Sequence, residues 1–207
     1  MARGFRRTGR LYVATIDEME RGVVAGLMDQ TRDLIAPPER ESTGDPFEDL
    51  VAGLGVSLAA QDQTPDTPDE LAHRDPALDR LLPTAHRGDD QVAAEFRRLT
   101  EHGLRDRKAT NLATAVAALR RATGDRLELT REEAEATVIA LTDTRLLLGE
   151  RLGLRTDEDA THLEERLAGL DDDDPTVYAV SFYDFLTWLQ ESLTNALMRS
   201  AGRGRSR

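Results

Sequence analysis

From Thr130 to Gly153 the chain runs without a proline, and its aliphatic side chains fall at Ala134, Val138, Leu141, Leu148 and Leu152. Spacings of three and four residues place such positions on one face of an α-helix and cannot serve a strand, whose faces alternate every second residue. Thr130 with Glu133 forms a capping-box pattern at the start, and Gly153 supplies a stop. The same device recurs: Asp17 and Glu20 precede Met19, Val23, Val24, Leu27, Met28, Leu34 and Ile35, a run closed by Pro37-Pro38. Helices are therefore predicted at about 17–36, 46–59, 89–123, 131–152 and 182–199. The third either breaks or kinks near Gly103, and Ser181 with Asp184 caps the last. Asp75-Pro76 opens a further short turn of helix through Leu78, Leu81 and Leu82.

Aromatic residues make up 4% of the chain and charged residues 32%, so the core has to be aliphatic and the fold class is all-α or nearly so. The expected architecture is a single-domain multi-helix bundle over residues 1–199, with a possible short N-terminal β-hairpin around Thr8-Gly9. Residues 60–75 and 155–175 are expected to be polar or acidic flexible loops, and 200–207 a basic disordered tail.

A net charge of −12 disfavours nucleic-acid binding by the acidic body and favours a basic protein surface as partner. There is no cysteine, which rules out disulfides, thiolate catalysis and thiol redox sensing within the chain. No apolar run approaches a membrane span, and the segment after the basic start is too short for a signal-peptide core, so a cytoplasmic location is expected.

Motifs for chemistry are weak. GLGVS at 53–57 sits in a helical pattern instead of a strand-to-helix turn, as a phosphate loop requires. His73, His86, His102 and His162 lack metal-ligand spacing, and Asp171 to Asp174 form a wet acidic run. Arg199, Arg203, Arg205 and Arg207 make a basic end read more readily as solubilising than as a nucleic-acid arm. No catalytic, cofactor-binding or metal residue is assigned. Arg145 stands out, because it occupies a beat of the aliphatic stripe where leucine is expected; Asp184 or Glu191 on the last helix is the expected partner of a buried charge.

Four stretches in order, LDRLLP at 78–83, EFRRLTEHGLRDRKATNL at 95–112, LELTREEAEATVIALTDTRLLLGERLGL at 127–154 and YDFLTWLQESL at 183–193, carry a family likeness. The chain resembles the actinobacterial domain-of-unknown-function family two-thousand-and-seventeen, also named after the oxidative-stress transcriptional regulator AosR. The positions matching its most recognisable motifs are Asp143, Arg145, Leu146 and Gly149, then Tyr183, Leu186, Gln190 and Glu191. The resemblance implies a helical, non-enzymatic protein linked to transcriptional control under oxidants and often encoded beside the protease adaptor ClpS, with no catalytic residue to transfer. The regulator branch senses oxidant through a cysteine pair, which this chain lacks. The expected partner is another protein, a sigma factor or other transcription component, with self-association into a homo-oligomer open; an adaptor of ClpS-linked proteolysis and a small-ligand enzyme are the alternatives.

Overall fold

The structure, a computed structural model, describes residues 2–36, 75–83, 90–171 and 173–203. The chain order is β1 (Arg3–Thr8), β2 (Leu11–Thr15), α1 (Glu18–Ile35), α2 (Pro76–Leu81), α3 (Asp90–Arg121), β3 (Arg126–Leu129), α4 (Arg131–Arg151), α5 (Asp157–Leu167) and α6 (Pro175–Arg203). The fold is mostly helical with a small antiparallel sheet, ordered β1-β2-β3. The expected helix at 46–59, GLGVS, His73 and His86 lie outside the described residues.

The hairpin forms because Gly9, at φ +64°, takes the left-handed conformation that the two-residue turn between Thr8 and Leu11 needs. The extended stretch after Gly124 then adds a third strand, pairing Tyr12 with Leu129 and Ala14 with Leu127. These four side chains share one face, and they are buried together with Phe5 in the same core as the helices. Both predicted capping boxes exist: Asp17 and Glu20 exchange backbone and carboxylate bonds, as do Thr130 and Glu133.

Helix α4 is the hub, touching α1, α2, α3, α6 and the strands β2 and β3. Its Ala140 and Leu141 meet Leu112, Val116 and Leu119 of α3, Val24 and Met28 of α1, and Leu186, Leu189 and Leu193 of α6 in one aliphatic cluster. The predicted stripe is therefore inside, with Leu148 packed at its margin. Met19, which falls in the predicted α1 run, is exposed, as are Phe96 and Leu99 of α3.

Three expectations are corrected. Helix α3 runs uninterrupted through Gly103, so the two-helix alternative is excluded. Residues 155–175 are not a loop throughout: Thr156 and Asp159 form a third capping box, Asp157 and Glu158 sit in the first turn where the helix dipole favours carboxylates, and Leu163, 5% exposed, anchors α5. The last helix begins at Pro175, seven residues early, because Asp174 accepts the Thr176 N–H at 2.7 Å and proline suits the first helical position. Ser181 lies inside it, its hydroxyl bonded to the Val177 carbonyl. Residues 200–203, assigned to the tail, continue the helix.

Candidate functional site

The helical registers of α4 and α6 bring Arg145, Tyr183 and Gln190 together at their seam. Arg145 donates to Gln190 Oε1 at 2.8 Å and to the Tyr183 hydroxyl at 3.4 Å, with its guanidinium carbon 5.2 Å from the Tyr183 ring centre. Gln190 in turn donates to Thr142 Oγ1 at 2.7 Å, and the Tyr183 ring lies against Gly149, where the absence of a side chain leaves room for it. The expected carboxylate partners are not there. Asp184 and Glu191, each next in sequence to a seam residue of α6, are exposed, and neither reaches Arg145. Arginine is thus held half-buried by neutral dipoles and an aromatic face, an arrangement in which the charge keeps part of its hydration.

The buried charge lies instead on the other flank of α4. Asp143, 1% exposed, meets Lys108 of α3, the only lysine in the chain. Burial pushes the Asp143 carboxyl above the usual range, opposed by the hydrogen bond and charge of Lys108. A second polar knot ties α2 to the end of α4: Arg80 and Arg155 both bond Glu150, Arg80 also reaches the Leu154 carbonyl at 2.9 Å, and Arg151 forks onto Asp75. Arg155 and then Arg80 hold the Glu150 carboxyl below its ordinary range, against some desolvation, and Arg151 does the same for Asp75.

Sequence reasoning missed Lys108 and Arg21. Arg21, in α1, is 7% exposed and donates to the carbonyls of Ile16, Ala122 and Gly124. A lone arginine among aliphatic positions is a visible signal, but it does not say whether the partner is a carboxylate or a helix end. Among the described residues no group of three His, Asp or Glu side chains is placed to hold a metal ion, and His102 pairs locally with Asp106 at 3.3 Å. The seam's polar groups are engaged with one another except for the buried Arg145 Nε, which has no hydrogen-bond partner, and the contacts they make fix α6 against α4.

A family model for a domain of unknown function, DUF2017, matches residues 2–197. The chain belongs to the DUF2017 family. No curated protein matches the chain, and no solved structure does. The match covers the described elements of this DUF2017 chain up to residue 197, leaving out the last six residues of α6, and includes both sides of the Arg145 seam. No helix among the described residues is long and apolar enough to cross a membrane.

Within this DUF2017 fold Arg145→Ala is expected to lower stability by about 1–2 kcal/mol, the worth of one charge-assisted hydrogen bond and a partly exposed cation–π contact. A loss of about 3–5 kcal/mol would need a carboxylate left unpaired in the core, and none is within reach. Urea denaturation of Arg145→Ala and Arg145→Met decides it; a melt of both variants identical to that of the parent would remove the seam's structural role.

Proposed function

We propose that this chain is a non-enzymatic regulator that acts by binding another protein, a transcription component such as a sigma factor, in the response to oxidants. The observation that carries the protein-binding reading is the aromatic flank of α6. Five of the nine aromatic residues of the chain lie on this helix, and Tyr178, Phe182, Phe185 and Trp188 follow one another at spacings of four, three and three. Phe185 packs edge-on to Phe182 at 6.3 Å and tilted on Trp188 at 5.6 Å, while Tyr178 is 56% and Trp188 38% exposed. A chain with so few aromatics that leaves a stacked row of them half in solvent presents the residue types that anchor interfaces.

The acidic body suits a partner with basic surface, for which charge complementarity speeds encounter and excludes wrong partners. The link to transcription and oxidants comes from the family likeness. With no cysteine, the oxidant signal has to arrive through the partner or through methionine, and Met19 and Met198 are the exposed ones among the described residues.

Surface-bound chain is to be titrated with purified sigma factors, core RNA polymerase and ClpS, using the parent protein, Trp188→Ala and Tyr178→Ala. A transcription component should bind, and Trp188→Ala should weaken it by about 2 kcal/mol, roughly thirtyfold in Kd. Binding of ClpS alone, with the same loss, would replace this reading with that of a proteolysis adaptor. Binding indifferent to both substitutions would place the interface elsewhere.

A further inference from the structure

Both ends of the acidic chain are basic in sequence. Residues 2–16 contain no aspartate or glutamate but carry Arg3, Arg6, Arg7 and Arg10, and residues 199–207 carry Arg199, Arg203, Arg205 and Arg207, again with no acid. With these eight set aside, 19 basic against 39 acidic side chains leave −20 on the rest of the chain. Although nearly two hundred residues apart in sequence, β1 and α6 meet. The Phe5 N–H donates to Ser192 Oγ at 3.0 Å, and a side chain added at Gly4 would come 2.7 Å from the Ser192 Cβ, so β1 is seated directly on α6.

Beyond this contact the strand and the helix part to form an open groove of about 400 Å³, lined by Phe5, Arg6, Arg7, Ser192, Asn195 and Arg199. Arg6 and Arg7, which follow a bulge in the β1–β2 pairing between Arg3 and Arg6, both line this groove. Arg3, Arg6, Arg10 and Arg199 are exposed and make no ion pair with any described residue; Arg7 is engaged only at Nε, by the Gly9 carbonyl at 3.0 Å. Elsewhere many of the described arginines are taken up by carboxylates or carbonyls, among them Arg21, Arg80, Arg105, Arg121, Arg151 and Arg155.

We infer that the β1–α6 groove binds the phosphodiester backbone of a nucleic acid, without base preference. Free guanidinium forks on both walls match phosphate oxygens bidentately. The groove is open, and unpaired arginines continue past it to the hairpin tip at Arg10, so the charge fits an extended polyanion better than a single small anion. An extended strand can lie along this edge of the molecule, whereas a globular acidic partner would meet the −20 on the rest of the chain. The inference is independent of the aromatic flank and its protein partner.

Trp188, the only tryptophan, packs over Gly4 beside the groove and reports occupancy by its fluorescence. The full chain is to be titrated at about 50 mM salt with an oligothymidine and a mixed-sequence duplex, each of about 20 units, with inorganic phosphate and oligoglutamate in parallel. One or both nucleic acids should bind, with log K falling by about 2–3 per decade of salt. The triple variant Arg6→Gln/Arg7→Gln/Arg199→Gln, its fold checked by circular dichroism, should lose at least about tenfold in affinity and about 2 in the slope. Lack of binding by either nucleic acid, unchanged binding by the folded triple variant, or oligoglutamate or free phosphate binding as tightly as the polymers would each overturn the proposal.

Discussion

Lys108→Met is expected to lower the unfolding free energy by about 3–5 kcal/mol, among the largest effects of any single charged substitution in this chain, because it leaves Asp143 buried without its counter-ion. Coulomb attraction in the parent offsets much of the desolvation of a carboxylate that is 1% exposed. The double variant Lys108→Met/Asp143→Leu removes both charges, and it should return to within about 1 kcal/mol of the parent, since hydrophobic replacement of a buried pair is close to neutral. In Lys108→Met the two influences that lower the Asp143 pKa are gone and burial alone acts, so the folded-state value moves further above the unfolded one. Between those values the folded state holds the extra proton, and stability falls as pH rises through that window. The single variant should therefore lose less near pH 5 than near pH 8, as measured by urea denaturation at both. An equal loss at the two pH values, or a double variant no better than the single, would show that the pair is not the source of the effect.

Acid acts in the opposite sense on the α2–α4 knot. Glu150 and Asp75 have carboxyls held below their ordinary range by Arg155, Arg80 and Arg151, so the stability they contribute is present above the unfolded pKa and is lost as pH falls through the folded one. The two kinds of carboxylate, one raised by burial and the others lowered by arginine, are not distinguishable by spacing. All are acidic positions on helices or their caps, and only the packing decides which faces water.

Local signals were legible where they act within a few residues. The capping boxes at Asp17 and Thr130 and the Gly9 turn rest on backbone N–H groups and a backbone torsion supplied by neighbouring residues, and they fix the starts of α1 and α4 and the hairpin. The capping box at Thr156 is the same signal, obscured by the acidic run around it; the charge of Asp157 and Glu158 reads as disorder in composition and as dipole complement in a helix. What the pattern does not carry is which flank of a central helix meets which neighbour. Helix α4 is surrounded, so its apolar stripe marks no single face: Asp143, outside the stripe, is fully enclosed, and Arg145, inside it, is half-open. The basic groove was hidden for a related reason. Its walls come from opposite ends of the chain, and each end alone reads as a short solubilising run.

Arg21→Ala is expected to lower stability by about 3 kcal/mol, through loss of a charged donor shared by three buried or half-buried carbonyls. Ala122 and Gly124 follow the end of α3 at Arg121, where the negative end of the helix dipole also favours a cation, and Ile16 follows β2. One planar guanidinium thus ties the end of α3 to the junction of β2 with α1, beside the bond from the Ile16 N–H to the Asp125 carbonyl at 2.8 Å. Arg21→Lys preserves the charge and most of the stem but offers a single ammonium, which cannot span all three oxygens in the plane that the fork occupies. It should recover no more than about half of the lost stability. Circular dichroism in urea, with slopes compared to exclude a change in the unfolded state, measures both variants. If Arg21→Lys matches the parent, charge near the helix end is sufficient and the forked geometry is not what secures this junction; if Arg21→Ala also matches it, the carbonyls find water and the tie is dispensable.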